Sequence, residues 1–319
     1  MSAQPKVSVI TPAYNVAPYI GQCIESVQAQ TLTDWEMVIV NDASTDETPQ
    51  IVQRYLNDSR IRLVQNARNM GLGYTRNRAL REARGEWIAV LDADDWYAPE
   101  RLEKLVALAE QTSADMVADL QLYLTERGSV YAVAWATHAK PPKQPRTYTA
   151  EEVIRAHPAF KPMVRRTFLE SQQIHYHEGM RQWADYAFYV EIMLKGGRFA
   201  LLPEPLYYYR VRPRTLTTRY DPLEESGKAL SYLLSLPGVS PHLQAVLRAA
   251  FKRRAVWDSY PHFAHALKGR QWSKAWQWAQ RSPGVLLVLM RELPLAVYRR
   301  LFARERLIDP WRDAPPERT

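Results

Sequence analysis

The chain has 319 residues, 46% of them hydrophobic, 24% charged and 11% aromatic, with 12 Gly and 22 Pro. That balance excludes a disordered chain and a fibrous repeat, and predicts one large or two ordinary globular domains. One cysteine, Cys23, excludes an internal disulfide framework and a cysteine zinc site, while the net charge of +8 is concentrated at one end: residues 220–319 hold 16 Lys and Arg against 9 Asp and Glu.

The first residues lack the apolar stretch of a secretory signal. Apolar runs such as residues 285–290, six residues long, fall far short of the roughly 20 of a spanning helix, so a soluble or membrane-peripheral protein of a reducing compartment is expected. Residues 7–10, 36–40, 61–64 and 87–91 are short β-branched-rich runs spaced as in βαβ units, which predicts a parallel sheet. Between them, Ile20, Cys23, Ile24 and Val27 fall on one helix face, and Ser44 with Glu47 forms a capping-box pair ahead of Ile51, Val52 and Tyr55. A third helix is predicted over 71–84 with Gly85 as its stop, and a fourth begins at Pro99 and buries Leu102, Leu105, Val106 and Leu108. Residues 116–124 and 129–136 read as a hairpin-like pair and 140–145 as a Pro-rich loop. Thr149 with Glu152 is a second capping box, helices are predicted over 166–173 and 185–195, and 198–202 returns as a strand, the core ending near Tyr209. From about 222 onward the pattern is helical, with Trp257, Trp272, Trp276, Trp278 and Trp311 among many arginines.

Ligands of doubly wound sheets bind at the carboxyl ends of the strands, and three such ends here carry polar residues: Thr11-Pro12-Ala13-Tyr14-Asn15, Asn41 to Asp46, and Asp92-Ala93-Asp94-Asp95. Three carboxylates in four positions repel one another unless a cation offsets them, which suits Mg²⁺ or Mn²⁺. The competing reading is a cap on the next helix, weakened by Pro99, which puts that helix several residues later. Asp42 is placed to accept from a base or ribose, or alternatively to close an Asx-turn before Ser44. Gly71 and Gly73 open a helix where backbone N–H groups can meet phosphate, with Arg76 on the next turn. No Walker A or Rossmann glycine fingerprint is present.

In order and spacing, residues 7–15, 40–46, 68–77 and 91–95 resemble the successive signatures of family 2 glycosyltransferases, and the similarity continues through 168–179, 183–185, 196–198 and 202–210. The resemblance implies an inverting transfer from a nucleotide diphosphate sugar, most often a UDP-sugar, to an acceptor hydroxyl. By position it implies that Thr11, Tyr14 and Asp42 hold the uridine, within nucleotide-binding segments that include Pro12, Asn15, Asn69, Gly71 and Ala93. Arg76 matches a residue near the nucleotide and diphosphate, Asp92 the acid that contacts sugar or ribose, and Asp94 the ligand of Mn²⁺ or Mg²⁺, with Asp95 a third member of the cluster. Asp185 matches the general base, next to Ala184 where the family commonly has Glu; as residues alone, Asp185 also reads as a helix N-cap. Glu178 is the reserve candidate and Trp183 lies beside the base. The segment 209–217, with Arg210 and Arg212, resembles a loop that closes over the donor, or else is a basic solvated linker.

The expected fold is therefore α/β of the GT-A type, a Rossmann-like, mostly parallel central sheet flanked by helices in residues 1–215. A basic helical region over 216–319 is expected to contact acceptor, membrane surface or partner. The expected protein is a cytoplasmic or membrane-peripheral enzyme of surface or exported polysaccharide synthesis, with a saccharide or lipid-linked saccharide as acceptor. Two other readings stay open. A non-catalytic nucleotide-sugar-binding or scaffold homologue is suggested by Ala184, and a sugar-phosphate nucleotidyltransferase would show a Gly-rich loop where residues 11–15 have no glycine. Nucleic-acid binding rests on charge alone and is not expected. Asp258, His262 and His265 share a helix face but lack a further ligand, so a structural role is preferred. Residues 285–306 read equally as a surface for an anionic membrane and as a core-packing helix pair.

Overall fold

The computed structural model describes residues 4–125, 130–134, 141–212 and 221–290, in two compact units, Met1–Val211 and Arg212–Thr319. In the first unit the apolar run at Val7 continues as β1 (Val7–Ala13), buried along its whole length, as is β2 (Trp35–Asn41). These are strands covered on both faces by helices. With β3 (Ile61–Gln65) and β4 (Trp87–Val90) they form a parallel array in the order β3-β2-β1-β4. The crossovers are α1 (Ile20–Gln28), α2 (Thr48–Gln53) and α3 (Leu72–Glu82). Ile20, Cys23, Ile24 and Val27 of α1 are buried in one cluster with Val9, Trp35 and Met37, so Cys23 is a core residue.

The rest of the sheet is mixed. Its elements are β5 (Trp96–Tyr97), α4 (Arg101–Thr112), β6 (Met116–Thr125), β7 (Val130–Ala134), β8 (Arg146–Tyr148), α5 (Ala150–Ala156), β9 (Met163–Arg165), α6 (Arg166–Ser171), α7 (Ala184–Leu194) and β10 (Phe199–Val211). Strand β9 joins the two halves by pairing antiparallel with both β4 and β6, and β10 runs parallel to β6. Strands β7, β8 and β5 add antiparallel edges.

Local chemistry explains where the sequence reading shifts. The Thr149–Glu152 capping box forms, with Glu152 N–H donating to Thr149 Oγ1 at 3.2 Å and Thr149 N–H to Glu152 Oε2 at 2.8 Å. The Ser44–Glu47 box does not: Ser44 Oγ accepts from Asn15 N–H at 3.0 Å, and Asp46 accepts from Thr48 N–H at 3.0 Å at the start of α2. Strand β10 runs nine residues beyond the predicted end at 202 because Pro203 and Pro205, which argue against a strand, sit at register shifts against β6. Strands β5, β8 and β9, of two or three residues, are too short for any periodicity.

The second unit contains α8 (Pro222–Ser235), α9 (Pro241–Lys268) and α10 (Trp272–Arg281). Asp221 caps α8 by accepting from Leu223 N–H at 3.0 Å, and Ser240 caps α9 by accepting from Leu243 N–H at 3.3 Å. Asp258 pairs with Arg254 at 2.8 Å and His262 stacks on Trp278 at 4.9 Å, so both serve the packing of this unit. No helix among the described residues is long and apolar enough to cross a membrane. Residues 213–217, 291–306 and Trp311, which carried expectations about a closing loop, a membrane surface and a Trp-rich tail, lie outside the described residues.

Candidate active site

Pairing of β1 with β2 through Ala13 and Asn41, and with β4 through Ile10 and Val90, brings the three polar strand ends side by side. At the first, Tyr14 is 46% exposed, with its ring available for stacking, whereas Thr11 and Pro12 are buried. Asn15 and Ala43 both adopt left-handed backbone (φ 51° and 57°), and Asn15 Oδ1 accepts from Thr45 N–H at 2.8 Å, tying the first two ends together.

Buried Asp42 is a loop anchor. Its Oδ1 accepts from Asn66 Nδ2 at 2.7 Å and Met70 N–H at 2.8 Å, and its Oδ2 from Gly71 N–H at 2.9 Å. The contact to Ser44 N–H comes from Asn41 Oδ1 instead, at 3.2 Å, so the Asx-turn reading of Asp42 does not hold. Asn69 is exposed on the loop that Asp42 holds. Gly71 takes φ 88° and ψ 164°, a conformation closed to L side chains, directly before α3. Gly71→Ala is expected to cost about 1–3 kcal/mol through backbone strain alone, since an added Cβ meets no atom within 4 Å; a urea melt of the variant checks this.

The acids converge on two cations. Asp92, 22% exposed, accepts from Arg76 Nη2 at 2.6 Å on Oδ1 and from Lys161 Nζ at 2.6 Å on Oδ2. Asp185, 31% exposed and 109 residues along the chain from Arg76, accepts from Arg76 Nη1 on Oδ1 and from Lys161 Nζ at 2.5 Å on Oδ2. Arg76 is 1% exposed, so its guanidinium is committed to the two carboxylates rather than offered to a phosphate. Burial by itself would raise the Asp92 carboxyl and lower the two bases. The ion pairs reverse this, with Lys161 and Arg76 holding Asp92 well below the usual carboxylate range, while Asp185 and Asp92 push Arg76 and Lys161 up.

Asp95 behaves differently. It is buried, accepting from Tyr207 Oη at 2.7 Å and Arg210 N–H at 2.9 Å, and burial followed by the Asp94 and Asp92 charges pushes its carboxyl well up. Within residues 92–95, Arg76 and Lys161 offset the charge of Asp92, while Asp95 stays under the repulsion of its neighbours. Among the described residues no group of three or more His, Cys, Asp or Glu is arranged to hold a metal. Half-buried Asp94 suits one all the same, since Mg²⁺-like ions bind through one or two carboxylates plus substrate phosphates.

Helix α7 is not capped by Asp185: Trp183, at φ 65°, takes the N-cap position without a side-chain bond, and Asp185 lies in the first turn. The N-cap reading of Asp185 is thus overturned. Trp183 meets His157 edge-on at 4.8 Å. Glu178 is exposed and accepts from Asn77 Nδ2 at 3.1 Å, on a segment whose backbone lies so near α3 that a Cβ on Gly73 would come within 3.0 Å of Glu178 Cα. Arg210 is held between Trp96 and Tyr19, its Nε donating to the Asp94 carbonyl at 2.9 Å and its Nη2 to Gln22 at 2.5 Å. In this arrangement it braces the acid cluster. Arg212 is half-buried at the start of the second unit.

Comparison with known proteins decides the family. The family model described as Glycosyl transferase family 2 matches residues 8–171. Succinoglycan biosynthesis protein ExoO of Rhizobium meliloti is 31% identical over 312 residues, covering 94% of this chain and 88% of that protein. The chain belongs to glycosyltransferase family 2. Among solved structures, Staphylococcus aureus TarS 1–349 in complex with UDP-GlcNAc superposes on this glycosyltransferase with a TM-score of 0.70 at 23% identity, covering 93% of this chain and 87% of that one. The mannosyltransferase PcManGT from Pyrobaculum calidifontis, in complex with GDP-Man and Mn²⁺, gives 0.60 at 19% identity, covering 95% and 89%. These likenesses carry the fold, GT-A as expected, and the family sets aside the nucleotidyltransferase reading.

Lys161 is absent from the residues that the sequence brings forward. It stands alone between Pro158 and Pro162, and the charges it meets arrive from α3, the end of β4 and α7. The one signal was a lone lysine beside Phe160 and Met163 in an otherwise apolar stretch, a charge with no partner nearby in the chain.

Proposed function

We propose that this glycosyltransferase moves a sugar from a nucleotide diphosphate sugar, with UDP as the favoured nucleotide, to a saccharide or lipid-linked hydroxyl during assembly of a surface or exported polysaccharide, with inversion at the anomeric carbon. The observation that carries the reading is the convergence of Asp185 with Asp92, two residues from Asp94, on Arg76 and Lys161. The name of ExoO, similar over nearly the whole chain, supports polysaccharide assembly, and the TarS and PcManGT complexes support a nucleotide-sugar donor.

In this mechanism Tyr14 stacks on the base and the loop anchored by Asp42 lines the nucleotide. Asp185 accepts the proton of the acceptor hydroxyl as its oxygen attacks C1 from the face opposite the diphosphate; the C1–O bond breaks and its electron pair leaves with the phosphate oxygen. Asp94 together with the diphosphate would hold Mn²⁺ or Mg²⁺, which when bound offsets charge on the leaving group. Arg76 stays in place beneath Asp92 and Asp185.

A thermal-shift screen of UDP, GDP, CDP, dTDP and their sugar conjugates, each with Mn²⁺ and with EDTA, tests the reading, because a ligand that binds only the native state raises its stability. A UDP-selective, Mn²⁺-dependent shift is expected; no shift with any nucleotide on folded protein would sink it. Asp94→Ala is expected to abolish the Mn²⁺-dependent part of that shift, and an unchanged metal dependence would remove Asp94 from the metal role.

A further inference from the structure

We infer that Lys161 is a positioning residue of the transfer reaction, holding the Asp185 carboxylate in the orientation from which it takes the acceptor's proton. This rests on the reading of Asp185 as the base. Four carboxylate oxygens meet two cations in a closed arrangement: Arg76 and Lys161 each reach one oxygen of Asp92 and one oxygen of Asp185. An aspartate held on a single oxygen can still turn about its own side-chain bonds. One held on both, by groups from different elements, cannot turn without breaking an ion pair, and at 31% exposed Asp185 keeps open surface for a hydroxyl.

The lysine itself is set on rigid backbone. Its carbonyl accepts from Arg101 Nη2 at 2.7 Å, and Arg101 is locked to Asp119 with both side chains fully buried. Two residues later Met163 enters β9, paired with Ala89 of β4 and Val117 of β6. The side chain is 11% exposed, so the ammonium exchanges little with water and its direction is set by the two acids. Arg76, one turn into α3, cannot replace it, because its two Nη groups already serve the other oxygen of each carboxylate. Without Lys161, Asp185, the more exposed of the two acids, would keep a single tie. During the reaction the proton passes from the acceptor oxygen to Asp185, the neutral acid releases its hold on the lysine, and Lys161 remains paired with Asp92.

The test compares Lys161→Met, Lys161→Arg and Asp185→Asn in the full chain. UDP affinity with Mn²⁺ is measured by titration calorimetry, and turnover as UDP release from UDP-glucose, UDP-galactose and UDP-GlcNAc, with water standing in as acceptor. Lys161→Met is expected to keep UDP affinity within about threefold and to lose on the order of 10²-fold in turnover, the size of loss that a misplaced reacting group produces. Lys161→Arg is expected to restore most of it. Wild-type turnover in Lys161→Met, or weakened UDP binding with unchanged kcat, would overturn the inference. If Asp185→Asn keeps its turnover, the base reading fails; if Asp185→Asn is inactive while Lys161→Met is not, only the role of Lys161 fails. Should Met not fold at this position, Lys161→Gln takes its place. A crystal structure of the variant then decides without any donor: Asp185 turned off Arg76 is the expected result, and Asp185 unmoved refutes the positioning role.

Discussion

Asp185→Asn is expected to lower kcat by about 10²–10⁴-fold while leaving the affinity for UDP with Mn²⁺ nearly unchanged, which is the range that positioned general bases contribute. Asparagine keeps the shape of the side chain and can still accept from one of the two cations, but it has no basic oxygen for the acceptor's proton. Donor binding should survive because the residues proposed to meet the nucleotide, Tyr14 and the Asp42 loop, lie on other strand ends. Calorimetry for binding and nucleotide release for turnover separate the two quantities. A variant that retains more than about a tenth of wild-type turnover would show that the proton goes elsewhere, and Glu178, held beside α3 by Asn77, would be examined next.

Arg101→Met is expected to destabilise the first unit by about 3–5 kcal/mol, because it leaves the Asp119 carboxylate buried without its partner. The arginine donates to Asp119 Oδ1 at 2.7 Å and to the Lys161 carbonyl at 2.7 Å, and its guanidinium lies over the Tyr97 ring at 4.1 Å. Burial already pushes the Asp119 carboxyl up even with Arg101 in place; without it the shift can only grow. A carboxyl raised in the folded state contributes stability that is present below its unfolded value of about 3.9 and is lost as pH rises through the folded value. The loss caused by Arg101→Met should therefore be smaller near pH 4 than near pH 8. Urea melts at the two pH values check both size and sign, and an equal loss at each would show that Asp119 is not the cause. Arg101→Met combined with Asp119→Leu should recover part of the stability, since an apolar pair avoids the stranded charge.

The sequence by itself determined the βαβ half of the fold and the strand ends that carry the candidate site. Runs such as 36–40 and faces such as Ile20, Cys23, Ile24 and Val27 are written in local periodicity, and the polar residues that follow the strands are contiguous with them. The same contiguity made residues 92–95 conspicuous as a cluster, and the family signatures supplied Asp185. What each acid does was not legible. Asp92, Asp94 and Asp95 are near neighbours in the chain, yet one sits on two cations, one is half-buried and one faces Tyr207 in the core. Arg210 read as part of a basic loop or linker, and its place between two aromatic rings, bracing the cluster, is set by the fold. Lys161 and the Arg101–Asp119 pair escaped altogether. Ion pairs between residues dozens of positions apart leave no periodic trace, because a charge is stabilised by whatever the fold brings within about 3 Å of it, and only the tertiary structure decides that.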